Sequence, residues 1–291
     1  MKIDLAINDY LLNSNATKKQ NTCIWEEKTF RSFKSFAEKY NYSNLEDIDK
    51  KVLLDYIGFE RSRGLQNVTL NKKIDLVKRM FTYHEISSNI MSVKKLRETK
   101  KTVDRLSDGE LNLLLSYLSS LDDEIGNNFV YKTIFFFILD SGCRIDETLK
   151  IKKRNINFKH QIIHLDETKF SKERFIDFSS YTKRSLMKMH DLHSGDYLFW
   201  NVKKNRQLNY ESDIQYFYRK VSKELGVKKM TSHRLRHTFA SISAQNGMNV
   251  LSLKEILGHE NIRTTQIYMH ANRNKTKMDY NKYSPFSSKA I

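Results

Sequence analysis

One proline and nine glycines are too few, in a chain of 291 residues, for an all-β or loop-rich protein. Only two cysteines occur, Cys23 and Cys143, far apart in the sequence. That count excludes a disulfide scaffold and any metal site built on cysteine pairs, and it fits a reducing compartment. Long apolar runs are also missing. The most apolar stretch, 133-TIFFFIL-139, lies between Lys132 and Asp140. It falls far short of the roughly 20 residues a membrane span needs, so a buried helix is expected. The first residues, MKIDLAINDYLLNSN, carry Asp4 and Asp9 and do not read as a signal peptide.

What the chain has in excess is positive charge. Lys and Arg number 51 against 34 Asp and Glu, a formal net charge of +17. Such an imbalance is silent about fold but favours a polyanionic partner. Residues 1–100 hold 19 Lys/Arg against 13 Asp/Glu, so the excess is not confined to one half.

The length suits two domains. Residues 22–95 read as several amphipathic helices. In 28-KTFRSFKSFAEKY-40, Phe30, Phe33 and Phe36 recur at helical spacing. In 69-TLNKKIDLVKRMFTYHEI-86, Thr69 or Asn71 could cap a helix with Leu70, Ile74, Val77 and Phe81 on one stripe. Its polar side would then expose Asn71, Lys72, Lys73, Lys78 and Arg79, able to touch phosphates and base edges. The charged stretch 94-KKLRETKKTVDR-105 has no apolar period. The division is a helical domain at 1–98, a linker at 99–104 and a larger domain at 105–291.

In the second domain, Ser107 and Glu110 form a capping box ahead of a leucine-rich helix at 107–121. A further helix at about 127–140 stops at 141-SG-142. The alternation in 161-QIIHLDETKFSKERFIDFS-179 marks a small hairpin, and helices resume at about 181–191, 211–225, 233–246, 251–257 and 264–271. The fold class is mainly α with a small antiparallel β-sheet.

The stretch 231-TSHRLRHTFAS-241 crowds two histidines and two arginines into the first turn of a helix capped by Ser232. Leu235, Phe239 and Ile242 would face a core, with His233 and Arg236 together on the opposite side. A helix N-terminus already attracts anions, so added cations make a phosphate the natural occupant, a solvated basic turn being the alternative. A zinc site on His233 and His237 is disfavoured, because Arg234 and Arg236 flank the pair and the catalytic glutamate of the helical zinc motif is missing. Three other segments fit a phosphate. Arg144 in 141-SGCRIDE-147 has Glu147 to hold it, Lys169 sits at the hairpin tip, and in 256-ILGHENIRTTQIYMHA-271 Gly258 is a C-cap followed by His259. Tyr268 follows on a short helix starting near Thr264 or Thr265.

This ordered series, SGxRxxE, a hairpin lysine, HxxRH, LGH and a tyrosine nine residues on, closely resembles the tyrosine recombinase (phage integrase) family over roughly residues 103–275. The resemblance implies a two-domain C-shaped clamp on double-stranded DNA, the first domain being the helical core-binding domain. It implies a catalytic set of Arg144, Lys169, His233, Arg236, His259 and Tyr268, with Lys172 a rival for the hairpin role. Tyr268 would cut DNA to a 3′-phosphotyrosyl link and a free 5′ hydroxyl. The bond energy is kept in that link, so rejoining needs no ATP, metal or cofactor. The tail 275-KTKMDYNKYSPFSS-288 would dock on a neighbouring protomer through Tyr280, Tyr283 and Phe286, within a tetrameric synapse. The setting implied is the bacterial cytoplasm and nucleoid, with a phage or mobile-element gene and no membrane.

A mobile-element integrase or transposase is the leading expectation, and a Xer-like chromosome-dimer resolvase the alternative. A type IB topoisomerase shares the chemistry, but the motif order favours a recombinase. A non-catalytic DNA-binding protein is disfavoured because all six catalytic residue types are present.

Overall fold

The computed structural model describes residues 1–98, 103–124, 126–165 and 174–269. The chain divides into two compact units, Met1–Lys100 and Lys101–Ile291.

The first unit is helical. It comprises α1 (Ile3–Thr17), α2 (Gln20–Lys39), α3 (Lys50–Ser62) and α4 (Asn67–Tyr83), with single 3-10 turns at Leu45–Asp47 and Asn89–Ser92. Phe30, Phe33 and Phe36 of α2 are buried as their spacing requires, and Tyr56 of α3 meets Phe33 edge-on with centroids 5.1 Å apart. Burying each such ring is worth roughly 1.5–3 kcal/mol. The expected stripe Leu70, Ile74, Val77 and Phe81 closes the core from α4.

Two expectations for this unit need correction. The helix α4 begins at Asn67 behind Gln66, which makes no side-chain cap, so neither Thr69 nor Asn71 opens it. Its polar side is also far less exposed than its composition implied. Asn71 is buried: its amide donates to the Leu96 carbonyl and the Glu98 carboxylate, and its oxygen accepts the Leu96 N–H. Lys73 pairs with buried Glu60 at 2.8 Å, and Lys78 donates to the carbonyls of Met91 and Val93. Only Lys72 and Arg79 of the five are exposed. The cause is tertiary: the segment at 89–98 folds back along α4 and takes up Asn71 and Lys78, and Glu60 of α3 takes up Lys73. The helix α1 had not been expected; its buried stripe of Ile3, Ala6, Ile7, Tyr10 and Ser14 has plain helical spacing.

The second unit runs α5 (Asp108–Ser120), α6 (Asn128–Ser141), α7 (Ile145–Thr148), β1 (Ile156–Asn157), β2 (Ile162–Leu165), β3 (Arg174–Asp177) and α8 (Ser180–Asp191). There follow β4 (Trp200–Asn201), β5 (Arg206–Gln207), a π turn at Tyr210–Ile214, α9 (Gln215–Glu224), α10 (Ser232–Gln245), α11 (Val250–Leu257) and α12 (Arg263–Gln266). The capping box of Ser107 and Glu110 opens α5 as expected. Strands β1, β2 and β3 form one antiparallel sheet in that order. Ile163 faces Ile176 and Leu165 faces Arg174 in the register, turning those residues inward. The two-stranded sheet of β4 and β5 had no expected counterpart.

Helix α6 is apolar nearly all round and forms the centre of the second core, with α10 packed along it. It ends at Gly142 with φ 64°, a left-handed cap; a Cβ there would lie 2.4 Å from the Phe239 ring. Helix α11 ends the same way at Gly258, φ 59°. These two helix ends determine where the site is built.

Candidate active site

Helix α10 carries the crowded motif. Its N-cap is Thr231, not Ser232: the Thr231 hydroxyl accepts the Arg234 N–H at 3.1 Å, and Ser232 is the first helical residue. The four basic residues then part company. Arg234 turns inward to Asp104 at 3.0 Å and Glu110 at 3.1 Å, tying α10 to the start of α5. Arg236 is 5% exposed, whereas His233 is exposed, so they do not share an open face as the spacing suggested. Leu235 lies in the core, and Phe239 and Ile242 are only partly buried.

Arg236 reaches between the two glycine-capped helix ends. One guanidinium nitrogen donates to the Gly142 carbonyl at 2.7 Å, another to the Leu257 carbonyl at 2.5 Å. Arg144, at the start of α7, donates to the Glu147 carboxylate at 2.9 Å and to the Gly258 carbonyl at 3.1 Å. The ends of α6 and α11 thus aim the negative poles of two helices at two arginines. Arg236 is held by these carbonyls without a carboxylate, whereas Arg144 also binds Glu147.

Arg174, the first residue of β3, completes the cluster. It binds the other Glu147 oxygen at 2.5 Å and also donates to the Ile256 carbonyl. Sequence reasoning passed over it, although inward alternation with Ile176 was a usable signal. Glu147 is 5% exposed. Burial pushes its carboxyl up, but Arg174 and Arg144 outweigh this and hold it below the usual carboxylate range. Burial, then the neighbouring Arg144 charge, bring Arg236 down to about 10, still protonated at neutral pH. Two guanidinium groups therefore bind one carboxylate while a third, Arg236, lies nearby on main-chain carbonyls, leaving a net positive pocket.

His259 follows Gly258 directly, and its Nδ1 lies 2.9 Å from the Thr265 hydroxyl. Burial, then Arg236 and Arg144, push its pKa down to about 4, so the ring is neutral at neutral pH. Tyr268 stands in the turn just after α12 rather than on the helix. Its ring is 3% exposed and packs with Ala240, Ala244, Leu253 and Leu257. Its hydroxyl meets His237 Nδ1 at 2.5 Å. Burial raises the Tyr268 pKa, opposed by the charge of Arg236. His237 is thus engaged by the phenol, a role that weighing it only as a zinc ligand had missed. Among the described residues no group of three His, Cys, Asp or Glu side chains could hold a metal ion.

The structure therefore brings together Arg144, Glu147, Arg236, His259 and Tyr268, joined by Arg174 and His237. His233 stays at the exposed rim, its ring 6.5 Å from that of His237. Lys169 and Lys172, the hairpin candidates, lie outside the described residues, as do Tyr280, Tyr283 and Phe286 of the tail.

The phage integrase family matches residues 104–275. The chain belongs to that family, and it is a tyrosine site-specific recombinase. The recombinase is 29% identical over 288 residues to a probable integrase/recombinase of Acholeplasma phage L2, covering 98% of each chain. It is 30% identical to the tyrosine recombinase XerA of Saccharolobus solfataricus, over 84% of this chain and 77% of that one. Its fold is that of the Tn1549 transposon integrase, solved in complex with a circular intermediate DNA. The TM-score is 0.82 at 18% identity, covering 98% of this chain and all of the other. No helix among the described residues of the recombinase is long and apolar enough to cross a membrane.

Proposed function

We propose that the recombinase is a mobile-element integrase that cuts and rejoins double-stranded DNA through Tyr268. The carrying observation is the pair of guanidinium groups, Arg144 and Arg236, anchored on helix-end carbonyls around a single carboxylate. An anion with two free oxygens fits such a pocket, and a phosphodiester presents two. Planar forks match that group better than point charges do, and they stabilise charge that grows during in-line attack. His259, with the Thr265 hydroxyl donating to Nδ1, offers its Nε2–H to a non-bridging oxygen. His233 at the rim serves in acid/base exchange, and Lys169, or Lys172, protonates the departing 5′ oxygen. The product is a 3′-phosphotyrosine, which a 5′ hydroxyl can attack in turn.

The first unit grips the same duplex. An open cleft of about 740 Å³ between α2 and α4 is lined by Asn21, Trp25, Lys72, Asp75, Arg79 and Thr82, among others. Lys72 and Arg79 are its exposed cations, suited to phosphate contacts. Protomers assemble as a tetramer on DNA, with the C-terminal tail docking on a neighbour through Tyr280, Tyr283 and Phe286.

Trapping on a nicked duplex tests the chemistry. The duplex is taken from recombination junctions recovered in cells expressing the chain. Wild type should form a protein–DNA adduct, while Tyr268→Phe should bind the duplex and form none; an adduct with Tyr268→Phe would overturn the reading. Deleting residues 276–291 should reduce synapsis more than single-site binding. A chromosome-dimer resolvase is the second reading, favoured by the XerA similarity. Junctions confined to one host chromosomal site would support it.

A further inference from the structure

The hydrogen bond between Tyr268 and His237 is not explained by the roles assigned so far. The phenol oxygen lies 2.5 Å from Nδ1, and the two ring centroids are 5.6 Å apart. His233, one turn earlier on α10, is exposed, whereas His237 is partly buried against the phenol. We propose that His237, through Nδ1, accepts the Tyr268 hydroxyl proton during strand cleavage and returns it during rejoining. This rests on the reading of Tyr268 as the nucleophile.

A base must be neutral before it acts. His237 is faced by His233 and Arg236 on its own helix, by Asp104 ahead of α5, by His259 after α11 and by Tyr268 itself. Burial, then the charges of His233 and Arg236, hold its pKa below the usual imidazole range, with Asp104 pulling the other way. The ring is neutral at neutral pH, with a lone pair available. Burial keeps the phenol protonated in the resting state. Both partners are therefore uncharged until a phosphate arrives.

The step balances. The bond from Tyr268 Oη to phosphorus forms as the bond from phosphorus to the 5′ oxygen breaks. The phenol proton passes to Nδ1, and the 5′ oxygen takes a separate proton from the acid assigned to the hairpin. In rejoining, the 5′ hydroxyl loses its proton to that same group, and Tyr268 recovers its own from imidazolium. The imidazolium forms beside non-bridging oxygens that are gaining negative charge. Their attraction offsets the repulsion from Arg236.

The test uses the full chain and the nicked duplex, with either oxygen or sulfur at the 5′ bridging position. A sulfur leaving group departs without protonation, so it rescues a missing acid and not a missing base. Single-turnover adduct formation is measured from pH 5.5 to 9 for wild type, His237→Ala and His237→Gln. The wild-type rate should fall on the acid side, as Nδ1 becomes protonated, and level off above it. His237→Ala should lose roughly 10²–10⁴-fold at neutral pH. Its rate should climb about tenfold per pH unit, recover in part with added imidazole, and gain nothing from sulfur. Variants within about threefold of wild type would overturn the proposal, as would full recovery on the sulfur duplex. Should a variant fail to fold, nitrogen NMR of the wild type decides: an unprotonated, hydrogen-bonded Nδ1 on His237 is expected, and a protonated Nδ1 refutes the role. Failure of the parent reading is separate, since it shows as an adduct with Tyr268→Phe.

Discussion

In the first unit the buried partner of each ionic cluster is a carboxylate. Glu26 and Glu60 have side chains 0% and 1% exposed, and the cations that reach them are more open to water: Lys18 at 27%, Arg79 at 51%, Arg63 at 55%, Lys73 at 13%. The second unit has buried carboxylates too, Asp213 at 3% and Glu147 at 5%, but its candidate site adds a buried guanidinium. Arg236 is 5% exposed and hydrogen-bonds to main-chain carbonyls, which carry no net charge. A buried carboxylate ringed by cations is complete, and its removal or exposure gains nothing. A buried guanidinium held by dipoles alone keeps its full charge and has room for an anion. The difference separates cations taken up by a carboxylate from one that, on the proposed reading, is left to meet an anion.

Four substitutions sharpen that contrast. The largest effect is expected from Arg236→Lys, since an ammonium cannot span the Gly142 and Leu257 carbonyls while forking onto a phosphate. Single-turnover cleavage should fall roughly 10²–10³-fold with DNA binding retained. A loss of less than about tenfold would show that the fork is not needed. Next comes Lys73→Met, which strands buried Glu60 without its closest cation. Unfolding in urea should show a loss of about 3 kcal/mol, with the cleavage rate per folded molecule unchanged; a rate defect with intact stability would move Lys73 into the DNA interface. The smallest effect belongs to Lys72→Ala and Arg79→Ala. Each should weaken DNA binding severalfold and lower the slope of log affinity against log salt by about 1. An unchanged salt slope would remove α4 from the footprint.

The features legible in the sequence are those fixed within a turn or two of chain. The phenylalanines of α2, the capping box of Ser107 and Glu110 and the glycine ends of α6 and α11 all depend on near neighbours. Arg144 and Glu147 were readable for the same reason. Asn71 and Lys78 were misjudged because their partners, Leu96, Glu98, Met91 and Val93, lie in another segment that only folding brings over α4. Arg174 and His237 were missed on similar grounds. Their importance comes from Glu147 and Tyr268, each more than 25 residues away.

One consequence of the glycine-ended α11 concerns timing. The segment from Leu257 to Tyr268 supplies one of the oxygens that hold Arg236 and one that holds Arg144, and it also ends in the phenol. If Tyr268 is the nucleophile, as proposed, sliding that segment to bring it forward would loosen one hold on each arginine in the same movement. On that reading the attacking group and part of the cradle for its target are mechanically one part, so neither can be retuned without disturbing the other.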